Sequence, residues 1–106
     1  MSGEVEQYWL EPYLTFYLHD TTTIDNEDFG IVSTRNESVE KFYASNNRKI
    51  KFLPIGVEEK FPNLKVIEVS NCEVQKISSA NFKNLKKLEK LHLRWNEISS
   101  IEAGSF

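Results

Sequence analysis

A nucleophile needs a base, and this chain offers few of either. Cys72 is its one cysteine, and His92 is one of two histidines. A thiolate activated by an imidazole is the covalent chemistry this pair could perform if the two met. A single cysteine forms no intrachain disulfide and supplies no multi-cysteine zinc site. No metal and no cofactor is expected. Recognition is better provided for. Tyr43, Glu68, His92, Arg94 and Trp95 include the aromatic and arginine side chains that dominate protein interfaces. Which chemistry is open depends on the elements that hold these residues.

The stretch LEKLHLRWNEISSI at 88–101 defines those elements. Leu88, Leu91, Leu93, Ile98 and Ile101 stand at positions 1, 4, 6, 11 and 14, with Asn96 at 9. Neither a helical period of 3.6 nor a strand period of 2 accounts for that spacing over its full length. An earlier copy fills the same positions in the same order with Leu64, Ile67, Val69, Cys72, Val74 and Ile77. Phe82 and Phe106 each fall 18 after the first position of their copy, and F-x-N-L occurs twice, as FPNL at 61–64 and FKNL at 82–85. A weaker third copy runs through Val39, Phe42, Ala44 and Asn47, then slips by one to Ile50 and Leu53. The step from Val39 to Leu64 is therefore one longer than the step from Leu64 to Leu88.

Each copy predicts one short strand over positions 3 to 7 of a parallel sheet. Strand side chains alternate, so positions 4 and 6 point inward and 3, 5 and 7 outward. Position 9 ends the strand in the interior, where an asparagine can bond backbone groups that would otherwise be buried without partners. Asn47, Cys72 and Asn96 are thus expected to form an internal structural ladder. The outward positions make columns: Lys41, Val66 and Lys90; Tyr43, Glu68 and His92; Ser45, Ser70 and Arg94; and, at position 8, Asn46, Asn71 and Trp95. Cys72 then faces in and His92 out. The thiol–imidazole pair is excluded on this geometry, and no catalytic residue is expected.

The pattern L-x-x-L-x-L-x-x-N/C-x-L resembles the leucine-rich repeat. The 24-residue period with a late phenylalanine, as in ISSIEAGSF, resembles the typical extracellular subclass. FLPIGVEEKFPNL is similar to the first repeat of arthropod secreted and Toll-like leucine-rich repeat proteins. The resemblance covers 39–106, divided as 39–63, 64–87 and an incomplete 88–106. It implies an α/β-type, mostly β fold: a short right-handed solenoid with a parallel sheet on its concave face. It implies non-catalytic recognition of a protein or peptide ligand on that face, through Tyr43, Glu68, His92, Arg94 and Trp95. The setting it implies is extracellular, in innate-immune or cell-surface recognition. Asn36-Glu37-Ser38 is an N-glycosylation sequon, which matters only in a secreted chain.

Residues 1–38 do not show the repeat. YLTFYLHD alternates as a strand does, TTTI at 21–24 reads as a second strand, and DNEDFG as a turn. The segment is expected to form a β-hairpin-like cap over the first repeat. Caps of the extracellular family carry cysteines and this one carries none. That departure, with an opening MSGEVEQYWL that lacks the basic and apolar regions of a signal peptide, favours the alternative of a cytoplasmic adaptor of the same fold. A further alternative is an N-terminal fragment that caps and templates more repeats. Phe106 falls short of another first position, so the last strand is expected to present an uncapped edge that could self-associate.

Composition narrows the remaining classes. The chain has 106 residues, 40% apolar and 27% charged, enough for one small globular domain. A net charge of −3 argues against nucleic acid as the partner. Lys83, Lys86, Lys87 and Lys90, interrupted by Glu89, read as a solvated surface rather than a basic patch. No apolar run approaches the roughly 20 residues of a membrane span, so no membrane insertion is expected.

Overall fold

The computed structural model describes residues 4–10, 13–18, 22–77, 81, 84–98 and 100–101, with side chains described outside 4–10 and 100–101. In chain order the elements are β1 (Glu4–Leu10), β2 (Tyr13–Tyr17), β3 (Lys41–Ser45), a single helical turn α1 (Val57–Lys60), β4 (Val66–Ser70), β5 (Lys76–Ile77), β6 (Lys90–His92) and β7 (Ser100–Ile101). Strands β1-β2-β3-β4-β6 form one sheet in that order, and β5 and β7 a second. The result is a mostly β repeat fold built on a parallel sheet.

The repeat pattern places its strands where alternation requires them. β3, β4 and β6 begin at position 3 of the three copies and pair in parallel, so that Phe42 stands beside Ile67 and Ile67 beside Leu91. The inward residues Phe42, Ala44, Ile67 and Val69 are buried, whereas Leu91 and Leu93 of the last copy are only partly so. The irregular first copy also has a visible cause. Ser45 pairs with Ser70, but Phe52 bridges Lys76, so the offset between the two copies falls by one across this stretch. The extra residue therefore lies between 45 and 52, in the turn rather than in the strand, where it shifts no side chain to the wrong face.

Before residue 39, where the sequence shows no repeat, the backbone still lies alongside the first copy. β2 lies parallel beside β3, pairing Thr15 with Lys41, Phe16 with Phe42 and Tyr17 with Tyr43. Ile24 bridges Ile50 and Gly30 bridges Ile55, so the neighbouring chain is followed well past the strand. Leu14, Phe16, Leu18, Ile24 and Ile31 are all buried. Residues 13–18 and 22–38 thus form a layer against the first copy. The hairpin partner of β2 is β1, which runs antiparallel on the outer edge. Of TTTI, the described residues 22–24 form no strand: Ile24 alone among them makes a bridge, to Ile50. The DNEDFG turn is present. Asn26 Oδ1 accepts the Asp28 N–H at 2.7 Å, and the Asn26 carbonyl accepts the Phe29 N–H at 3.1 Å.

Aromatic residues join the layers. The Phe16 ring centroid lies 5.5 Å from that of Phe42 and 4.8 Å from that of Phe61, and all three are buried. Burial of each stabilises the fold by about 1.5–3 kcal/mol. α1 starts at Gly56, whose φ of 80° is readily adopted only by glycine. It carries Glu58 and Glu59 in its first turn, the favoured end for negative charge, and buries Val57. Phe82 and Phe106, the late phenylalanines of the two better copies, lie outside the described residues.

Candidate functional site

The outward side chains at position 5 form one row across the sheet. Tyr17, Tyr43, Glu68 and His92 stand beside one another in register. The Tyr17 and Tyr43 rings are stacked at 5.0 Å with a tilt of 32°. Tyr17 is a member that the repeat pattern could not indicate, because β2 carries no repeat signature. The alternation of Tyr13, Thr15 and Tyr17 against Leu14, Phe16 and Leu18 was its only signal.

The row at position 3 departs from expectation. Lys90 is exposed, but Thr15, Lys41 and Val66 are buried, so this column is not open across the sheet. The Lys41 ammonium lies 3.4 Å from Glu68 Oε1 and 5.3 Å from the centre of the Tyr43 ring. A buried ammonium must be paired, and Glu68 together with the ring supplies the pairing. Lys41 is consequently withdrawn from any ligand, and the Glu68 charge is largely neutralised.

Beyond the end of β6, Arg94 and Trp95 form the most exposed part of the face. The guanidinium carbon lies 4.5 Å from the centre of the indole ring, a cation–π contact worth about 0.5–1 kcal/mol at an exposed site. Trp95 is 68% exposed. Its backbone is left-handed, with φ 56°, as are those of Asn46 at 58° and Asn71 at 53°, the position 8 residues of the earlier copies. Asparagine tolerates this conformation, whereas a bulky side chain resists it. Asn71 Nδ2 donates to Asn46 Oδ1 at 2.6 Å, linking the first two copies along the strand ends.

At position 9, Asn47 and Cys72 are buried and Asn96 is half-buried. Asn47 Nδ2 donates to the Thr22 carbonyl at 2.7 Å, and Asn47 Oδ1 accepts the Lys49 N–H at 2.9 Å. Asn96 Nδ2 donates to the Val69 carbonyl at 2.8 Å, and its Oδ1 accepts the Val74 N–H at 3.1 Å. Each asparagine thus bonds the layer before its own. Between them the buried Cys72 thiol donates to the Ser70 carbonyl at 3.4 Å. Burial pushes its pKa up, against smaller opposing effects of the Asn47 backbone and Arg48. Cys72 is buried and His92 exposed, so the thiol and the imidazole do not meet. Among the described residues no cluster of three or more His, Cys, Asp or Glu could hold a metal ion.

The remaining candidates lie elsewhere. Asn36 Oδ1 accepts the Ser38 N–H at 2.9 Å, closing a turn on the sequon, and the Asn36 N–H donates to the Lys60 carbonyl at 2.8 Å. Lys86 and Lys87 border a depression of about 380 Å³ with Glu58, Pro62, Asn63 and Asn84, apart from the sheet face that bears Lys90. The described part of the lysine run is therefore split between two surfaces. No described helix is long and apolar enough to cross a membrane. A family model for the leucine rich repeat matches residues 62–106, which supports a leucine-rich repeat protein. Domains of that kind generally mediate protein–protein interaction and are generally not enzymes. No curated protein and no solved structure matches the chain.

Proposed function

We propose that the chain is a non-catalytic recognition module that binds a protein or peptide ligand on the outward face of its sheet. In this reading the sheet is the concave side of a short right-handed solenoid of the 24-residue class, 39–106, with residues 1–38 as its cap. Tyr43, Glu68, His92, Arg94 and Trp95 are its contact residues. The observation that carries it is Trp95: a large aromatic side chain, 68% exposed and braced by Arg94, just past the end of a strand in the sheet that bears the Tyr17–Tyr43 stack. Such residues contribute little to the core and much to interfaces.

A photo-crosslinking amino acid at His92 or Tyr43, with Gln75 as an exposed control away from this row, tests it in extracts or secretions of the source. Adducts from 43 and 92 but not from 75 are expected. Adducts from 75 alone would overturn the reading.

The setting we propose is extracellular, at the cell surface or in innate immunity, on the resemblance to arthropod secreted and Toll-like proteins. Asn36 is then its glycosylation site, and among the described residues no hydrogen bond occupies Asn36 Nδ2. Glycan on Asn36 in protein isolated from the source supports this setting; unmodified Asn36 there favours the cytoplasmic adaptor. One further observation favours a second mode of contact. Among the described strands β6 pairs only with β4, and Leu88, Leu91, Leu93 and Ile98 beside it are partly buried. We propose this edge as a site of self-association in the 106-residue chain.

A further inference from the structure

We infer that the outward face of β6 takes an extended acidic segment of a protein partner, anchored on Trp95; the inference rests on the recognition reading above. Lys90 and His92 are exposed and alternate along β6, and exposed Arg94 follows in the turn just beyond it. No described carboxylate pairs with any of them. Elsewhere on the described surface some cations are paired, whereas Lys49, Lys51, Lys60, Lys86 and Lys87 make none of the described ion pairs. Lys41 pairs with Glu68, Lys65 with Glu40, Arg48 with Glu73, Lys76 with Glu27 and Arg35 with Glu37. Lys90, His92 and Arg94 differ in lying together, along β6 and just past its end, with Arg94 set against the Trp95 ring. Alternate residues of a strand repeat at about 6.8 Å, the same interval at which an extended peptide presents every second side chain. A segment with carboxylates two residues apart matches that row. The carboxylate opposite His92 in register is Glu68, and Lys41 already neutralises it.

Trp95 gives the second, independent argument. Its left-handed position carries asparagine in both earlier copies, and an asparagine there could continue the Asn46–Asn71 hydrogen-bonded pair. Tryptophan forgoes that bond, occupies a backbone conformation bulky residues resist, and leaves its ring exposed. Among the described residues the one ring contact it makes is the cation–π contact with Arg94. An exposed indole braced by a guanidinium can instead cover an apolar side chain between the acidic ones. Single-stranded nucleic acid also stacks on aromatic rings beside cations. Lys90 and His92 are spaced as the alternate side chains of an extended peptide, which favours a peptide, with the nucleic acid as the alternative under test.

The test uses the 106-residue chain and fluorescence anisotropy with three labelled probes: a peptide alternating glutamate and leucine, its lysine–leucine counterpart, and an oligothymidylate. The glutamate peptide is expected to bind saturably at low salt and to weaken as salt screens the contact. K90Q/R94Q and Trp95→Asn are each expected to weaken it by about tenfold or more, with Trp95→Asn leaving the melting temperature unchanged or higher. Trp95→Gly, which also accepts a left-handed backbone, serves if the asparagine variant does not fold. Equal or tighter binding of the lysine peptide or the oligothymidylate overturns the inference, as does no binding of the glutamate peptide. A Trp95→Asn chain with a lower melting temperature and unchanged affinity overturns it too. If crosslinks from 43 and 92 form while the glutamate peptide does not bind, the recognition reading stands and this inference alone fails.

Discussion

Asn71 donates its side-chain amide to Asn46 Oδ1 at 2.6 Å, and both residues hold a left-handed backbone at the same position of successive repeats. The conformation and the bond explain the recurrence of asparagine together. Asn71→Ala loses both and should cost about 1–3 kcal/mol. Asn71→Gly loses only the bond and should cost less. Urea titration of the two variants separates the contributions; equal losses would mean that the conformation is unstrained.

Burial falls off toward the last copy, and truncations should follow it. Phe42 is buried in the middle of the sheet and meets Phe16, so Phe42→Ala should cost about 3–5 kcal/mol. Leu91 occupies the same inward position but is partly buried, and Leu91→Ala should cost about 1–2 kcal/mol. Glu89→Ala, on the exposed surface, should stay within about 0.5 kcal/mol. Denaturation midpoints in any other order would refute the assigned register.

Asn47→Leu keeps the branching and the number of heavy atoms but removes the bonds to the Thr22 carbonyl and the Lys49 N–H. Loss of a partner from a buried polar group costs about 1–3 kcal/mol, so the variant should unfold well before the wild type. Cys72→Ala removes only a weak thiol donor and one atom's volume, and should be milder. A harmless Asn47→Leu would show that the layers are not held through this side chain.

The Cys72 thiol should resist alkylation in the native protein and react on unfolding. Its pKa is raised in the fold, so the native chain holds the proton more tightly than the unfolded chain. The thiol's contribution to stability is fully present below the unfolded pKa of about 8.5 and is lost as pH rises through the folded value. Alkylation of the folded protein as fast as of the urea-unfolded protein would disprove the burial.

If the edge of β6 recruits a second copy, sedimentation of the 106-residue chain should show mass rising with concentration, and a polar repeat appended after residue 106 should abolish the rise. A concentration-independent monomer of 12.4 kDa would reject the contact.

The parts of this fold legible in the sequence are those where one residue type answers one physical need. The leucine and isoleucine spacing located β3, β4 and β6 because inward positions tolerate only apolar groups. Asn47 and Asn96 could be placed inside because only a two-ended amide serves two backbone groups at once. β2 was hidden because its offset from β3 is not the repeat period and no asparagine follows it at the strand end. Leu14, Phe16 and Leu18 alternate as in any half-buried strand. The burial of Lys41 was also unreadable, since it depends on Glu68, in the next copy, and on the Tyr43 ring. The left-handed turn at position 8 was readable in principle from Asn46 and Asn71. Trp95 obscured it by breaking the rule those two residues set.

Every pairing within the parallel part of the main sheet joins one layer to the next at nearly the same separation along the chain: Phe16 to Phe42, Phe42 to Ile67, Ile67 to Leu91. Closing each such loop costs nearly the same entropy, so the order of assembly is decided by contact quality rather than by distance along the chain. β3 and β4 share the longest register in this part of the sheet, from Lys41–Val66 to Ser45–Ser70, and both are lined with buried side chains. They are the natural nucleus, with β2 joining through Phe16 and β6 docking last. Native-state hydrogen exchange should rank the strands in that order. A chain synthesised from its N terminus therefore carries one edge of β3 unpaired until residue 70 has emerged, and the interval before that is when it most needs protection from other chains.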